Sequence, residues 1–164
     1  MAAIWRVGVG TLALTTYEIS TLKVSAYIAS KYSLRRFIHG PAKNKFSIFE
    51  FSTQQRPILH AVAQVRVWEA FAADAINQYT DPKQDSRVKA GIAAAFKACL
   101  TTGSQGSLYT LSERCGAQGL FVHNQIIEAQ LETRGISIAE GDVLALCIRG
   151  YFLVKVVNRC SGSE

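Results

Sequence analysis

Between Glu113 and Leu146 the chain carries its densest set of chemically capable residues. It reads E-R-C-G-A-Q-G around Cys115, Gly116 and Gly119, then a run from Val122 to Arg134 that closes at Gly135, then Ala139-Glu140-Gly141-Asp142 ahead of a last apolar stretch. Closely spaced glycines let a backbone turn tightly and approach another group. A carboxylate beside a glycine at a helix start, as at Glu140, is a candidate base, because the first helical amides can meet an anion there. The same residues also serve as plain punctuation, with glycine as a C-cap and Glu140 and Asp142 as first-turn acids. Both readings stand on this stretch alone.

Other reactive side chains are dispersed. His39, His60 and His123 have no His or carboxylate at a ligand-like spacing and read as structural, with His123 the one nearest the glycine turn. Cys99, Cys115, Cys147 and Cys160 are far apart and form no C-x-x-C pair, so no metal site is expected. The first three lie in apolar surroundings and read as small buried side chains in a reducing compartment. No G-x-S-x-G, Walker loop or G-x-G-x-x-G occurs. The net charge of +6 suits an anionic partner. The basic residues are scattered without a run of five, so nucleic acid is not expected, whereas a pyrophosphate-bearing ligand fits the charge.

The elements that would position these groups are helical. With 164 residues, 49% of them hydrophobic, the chain can bury a core of its own. Its N-terminus lacks a convincing secretory signal, and the apolar stretch Val143 to Val157 is broken by Arg149 and Lys155 and too short to span a bilayer. The spacing of Leu12, Ile19, Leu22, Ala26 and Ala29 predicts a first helix from about Arg6 to Arg36, weakened at its start by Gly8 and Gly10. Arg35 and Arg36 at its end either complement the helix dipole or grip a phosphate. Phe46 to Phe51 alternates like a strand but shows no partner, and is expected to be an extended connector, leaving no sheet beyond an isolated bridge.

Ser52 with Gln55 has the form of a capping box and predicts a second helix as far as Tyr79, stopped by Asp81-Pro82. Its expected buried stripe is Leu59, Val62, Val65, Trp68, Ala72 and Ile76. A third helix from about Ser86 has Val88, Ile92, Ala95, Phe96 and Cys99 as its apolar face. It resumes after Gly103 and Gly106 with Leu108, Leu111 and Cys115 and ends at Gly116. A fourth covers Val122 to Arg134 and a fifth runs from near Glu140 to about Val157. The expected fold class is all-α, an up-and-down helical bundle over residues 1–158 with a frayed tail at 159–164.

The order E-x-C-G-x-x-G, short helix, A-E-G-D, apolar helix resembles the C-terminal helical domain of the acyl-CoA oxidase and acyl-CoA dehydrogenase family. The stretch S-L-R-R-F-I-H-G-P followed by F-S-T-Q-Q resembles that family's Arg–Gly and Gln positions, and the Gln-Gln pair and E-G-D point to the oxidase branch. Ala117 departs from the family's usual second glycine, and Leu120 from an aromatic residue. The resemblance implies FAD as cofactor, an acyl-CoA substrate, and Glu140 as the catalytic base that starts α,β-dehydrogenation. It implies that Arg36, Gln54, Gln55, Gly116, Gly119 and Asp142 bind the cofactor, Arg36 and the glutamines across a subunit interface. Whole family members also have an N-terminal helical domain and a β-domain. The expected partner is therefore a second copy of this chain, or a chain carrying those domains. No membrane span is expected. The alternative is a non-catalytic helical partner, or a truncated relic, that dimerises with a full-length relative. The expected location is intracellular, peroxisomal or cytoplasmic, although Ser161-Gly162-Ser163-Glu164 is not a peroxisomal S-K-L signal.

Overall fold

The computed structural model describes residues 2–40 and 44–151. The expected frayed tail, Cys160 and the far end of the last helix lie outside them. Four long or medium helices and the start of a fifth make an up-and-down bundle: α1 Ala2–Arg35, α2 Ser52–Thr80, α3 Ser86–Arg114, α4 Ile126–Ile138, and α5 over 143–151. At ~1.5 Å per residue α1 is roughly 50 Å long and spans the whole bundle. Among the described residues no helix is long and apolar enough to cross a membrane.

The α1 stripe packs as its spacing predicts, with Leu12, Ile19, Leu22, Ala26 and Ala29 all buried. Hydroxyls fill the gaps between them. Thr15, Ser25 and Ser33 are also buried, and each donates to the carbonyl four residues back, so no donor is orphaned by burial. The helix tolerates these β-branched and small polar residues because α2 and α3 cover them.

On α2 the core face is Ile58, Ala61, Val65, Trp68, Ala72, Ala75 and Tyr79. Three members of the expected stripe, Leu59, Val62 and Ile76, are exposed. The helix is apolar on two sides, and the buried one lies one position around from the expected stripe, with Ile58, Ala61 and Ala75 in place of Leu59, Val62 and Ile76. A similar correction applies to α3. Phe96 is buried and Ile92 packs on the core, but Val88, Ala95 and Cys99 are exposed, while Leu100, Leu108, Leu111 and Cys115 are buried. Cys147 is exposed too. Of the three cysteines expected inside, only Cys115 is, and burial pushes its thiol pKa up to about 11. The glycines do not interrupt α3. Gly103 lies under the Trp68 ring, where a Cβ would sit 2.6 Å from Cζ2, so the missing side chain is a packing device.

The expected isolated connector is a strand after all. Lys45–Ser47 pairs antiparallel with Phe37–His39, in the register Phe37↔Ser47, Ile38↔Phe46 and His39↔Lys45. Its partner was hidden because those three residues begin one residue after α1 and look like its fraying end. The capping box also lies elsewhere. Ser47 and Glu50 form it at a short 3-10 turn, Ile48–Glu50, whereas α2 starts at Ser52 behind Phe51 with no side-chain cap. Helix α4 begins at Ile126, after two 3-10 turns, and passes through Gly135 to Ile138. The fifth helix starts at 143, which leaves Glu140 in the preceding turn rather than in the helix.

Candidate active site

The candidate residues form two groups at opposite ends of α1. The first surrounds its C-terminal end. Gln54 is buried, and its Nε2 donates to Ser33 Oγ at 2.9 Å and to the Arg114 carbonyl at 2.7 Å, tying the start of α2 to the ends of α1 and α3. Ser47 Oγ donates to the Ser33 carbonyl at 2.8 Å and brings the strand pair onto the same corner. Gln55 is half-buried beside it and the Arg36 side chain is exposed just past the helix. Gly116 follows α3 with φ +57, and a Cβ there would meet only the Tyr32 hydroxyl at 3.9 Å, so its outer face is open.

Gly119 plays a different part in the same turn. A Cβ on it would fall 2.1 Å from the Ser112 carbonyl oxygen, and its own carbonyl accepts from Ser112 Oγ at 3.0 Å. The turn is folded back onto α3 through this contact. Gly119→Ala is expected to lower stability by about 2 kcal/mol and to detach the turn. Urea melts compared with Ala117→Gly, a change at an exposed site in the same turn, measure this. An unchanged melt for Gly119→Ala would show that the turn is not packed as described.

The second group lies near the other end, roughly 30 Å away, as the 21 residues between Thr11 and Tyr32 on one helix require. Glu140 is exposed and has φ 56, followed by Gly141 with φ 108. A non-glycine residue in the left-handed region costs about 1–2 kcal/mol. The surroundings that hold it are specific. Thr11 Oγ1 donates to the Glu140 carbonyl at 3.3 Å. The Glu140 carboxyl rests on Gly10, where a Cβ would be only 2.8 Å from its Oε1. Asp142 caps α5, its Oδ1 accepting from the amides of Leu144 at 2.9 Å and Ala145 at 3.2 Å.

Beneath this turn lies a charge that the sequence reading passed over. Lys97 is almost wholly buried, and its Nζ donates to the carbonyls of Ala139 and Gly141, on either side of Glu140. Thr101 and Ser104 continue the same face of α3 toward Glu18 on α1, which is fully buried. Thr101 Oγ1 donates to Glu18 Oε1 at 3.0 Å, while Glu18 Oε2 has no hydrogen-bond partner among the described residues. The Ser104 hydroxyl lies beside the carboxylate but falls short of a hydrogen bond. Burial pushes the Glu18 pKa up to about 7, against the opposing pull of Thr101, Ser104 and Lys97. Burial lowers the Lys97 pKa, and Glu18, Asp142 and Glu140 raise it in turn. The available signal in the sequence was a lone Lys between Phe96 and Leu100, and a lone Glu beside Ile19, each set among apolar residues at helical spacing. Gly10, read only as a weak helix start, makes room for the carboxyl.

The bundle has the fold of the C-terminal helical domains of acyl-CoA oxidases and dehydrogenases. Acyl-CoA oxidase-1 of Caenorhabditis elegans, solved in complex with FAD and ATP, superposes with a TM-score of 0.81 at 19% identity, over 88% of this chain and 23% of that one. The acyl-CoA dehydrogenase of Geobacillus kaustophilus gives 0.78 at 14% identity, over 90% of this chain and 37% of that one. The model of the acyl-CoA oxidase C-alpha1 domain matches residues 10–151, and the chain belongs to that family. Among curated proteins, peroxisomal acyl-coenzyme A oxidase 2 of Arabidopsis thaliana is 26% identical over 139 residues, which are 81% of this chain. The chain spans about a fifth of the length of that relative, 20%.

Proposed function

We propose that the chain supplies the C-terminal helical part of a flavin-dependent acyl-CoA oxidase, with Glu140 as the base that removes the α-proton of an acyl-CoA thioester. The observation that carries this reading is the Glu140 turn. Glu140 is exposed, held in a left-handed conformation and followed by Gly141, which is itself at positive φ. Strained, well-supported positions of this kind gather at reactive sites. A carboxylate in water is a weak base for such a proton, and a water-poor site strengthens it. The substrate and the family's further domains supply that exclusion.

FAD, when bound, accepts the β-hydride that leaves with the α-proton. The residues at the far end of α1 suit the polar half of such a dinucleotide. Arg36 offers an exposed guanidinium, Gln55 an amide, and Gly116 open backbone, in a chain of net charge +6. Gln54 meets the same corner with its amide nitrogen already committed to Ser33 and Arg114, so it holds the corner's shape. With roughly 30 Å between the two groups, a single FAD does not engage both ends of one chain. Arg36 and the Gly116 turn then serve the cofactor of a neighbouring subunit, which is a second copy of this chain or a chain carrying the remaining domains. By the name of its curated relative, the location is peroxisomal.

Arg36→Ala in the assembled enzyme is expected to weaken FAD retention by about tenfold, the size of one lost charge-assisted contact. The flavin absorbance of the purified assembly reads this directly. Titrated alone, the chain should bind FAD only weakly. Tight stoichiometric FAD on a monomer would overturn the arrangement across subunits.

A further inference from the structure

We propose that the buried Lys97 ammonium is a positioning residue for Glu140: by donating to the carbonyls on either side of that residue it holds the turn left-handed and fixes where the Glu140 side chain leaves the backbone, beside Gly10 of α1. The proposal rests on Glu140 being the base, but the clamp itself is a matter of this chain's own geometry.

Lysine is rarely buried without partners, because its charge must be hydrogen-bonded to leave water. Here the partners are two backbone carbonyls, of Ala139 and Gly141, separated only by Glu140. Two carbonyl oxygens converging on one point repel each other. A cation between them turns that repulsion into attraction, and the residue carried between them has little choice of φ. The same cation faces Glu18 from α1, and Asp142 and Glu140 from the turn. Thr101, one helical turn beyond Lys97 on α3, fixes the Glu18 carboxylate by its hydrogen bond. A core that needed only volume at this place could use leucine or methionine. The ammonium adds a fixed direction for two carbonyls, transmitted from the α1–α3 seam to the turn that carries Glu140.

The test uses the full chain and needs no flavin. A glutamyl endoprotease cuts after Glu140 only when the turn opens, and mass spectrometry recognises the 1–140 product. The wild type should resist. Lys97→Met should keep its helical circular dichroism while the cut after Glu140 accelerates at least about tenfold, because proteolysis follows the local opening equilibrium. The 13Cα resonance of Glu140 should leave its left-handed position in the same variant. Lys97→Met with Glu18→Gln removes the carboxylate orphaned by the single change, and should show the same local opening. In the wild type, a slowly exchanging Lys97 ammonium resonance is expected in 15N spectra at neutral pH, a readout that no substitution can spoil. Resistance to cleavage and an unmoved Glu140 resonance in the variants, or a wild-type ammonium that exchanges as freely as surface lysines, would overturn the clamp. If the clamp signals hold while Glu140→Gln leaves catalysis intact, the base assignment fails and the clamp stands.

Discussion

Glu18→Gln is expected to stabilise the chain by about 3 kcal/mol at pH 8 and to leave it unchanged near pH 4. Glu18 is fully buried, and burial raises its pKa from 4.5 to about 7. The folded pKa lies above the unfolded one, so between these values the folded chain holds a proton that the unfolded chain has already released. Stability therefore falls as pH rises from about 4.5 to about 7, and the full penalty is present above that. Glutamine mimics the protonated carboxyl at every pH, so its advantage appears over the same window. Glu69 and Asp85 have lowered pKa values and titrate below it, with the opposite sign and at exposed sites, so they do not mask the effect. Urea denaturation of both chains at pH 4, 6 and 8 measures the difference. A variant no more stable than the wild type at pH 8 would mean that Glu18 is not held in a dry site.

How much of the fold could be read beforehand depended on whether the apolar spacing was phased onto the right face of each helix. On α1 every residue of the expected stripe is buried, even though Thr15, Glu18 and Ser25 are buried with it and Leu14, Val24 and Tyr27 are exposed. On α2, large apolar residues occupy two faces. Leu59, Val62 and Ile76 are exposed, each one position along from the buried Ile58, Ala61 and Ala75, so the true core face is rotated slightly around the helix from the expected stripe. The strand pair was invisible for another reason. Phe37–His39 has three residues and no turn signal of its own, and only its register with Lys45–Ser47 makes it a strand.

The site divides in the same way. Glycine and acidic residues close together in sequence mark Gly116, Gly119, Glu140 and Asp142 as a set, and the family they resemble is the family to which the chain belongs. What a linear reading cannot provide is distance. Gly116 and Glu140 are separated by 24 positions in sequence, yet they sit at opposite ends of the bundle because α4 carries the chain back down. Lys97 and Gly10 were passed over because their meaning comes from contacts with residues 42 and 130 positions away. A buried lysine in an apolar stripe becomes informative only once something is seen to need its charge.

Glu140→Gln separates a chemical role for the carboxylate from a merely structural one. Glutamine keeps the size and the hydrogen-bonding shape of the side chain, so it can still rest on Gly10 and keep the turn as it is. A helix-dipole role would cost about 0.3–1 kcal/mol of stability and nothing else. A base cannot be replaced in this way, because the amide does not accept a proton at neutral pH, and loss of a positioned base costs about 10³-fold in rate. The most direct measurement is exchange of the α-hydrogen of an acyl-CoA in deuterated water, with flavin reduction followed alongside, in the assembly that completes the site. Glu140→Gln is expected to lose both signals while FAD remains bound and the bundle melts normally. Exchange and flavin reduction at undiminished rates in that variant would contradict Glu140 as the base, and a wild-type assembly that shows neither would make the chain a non-catalytic helical partner.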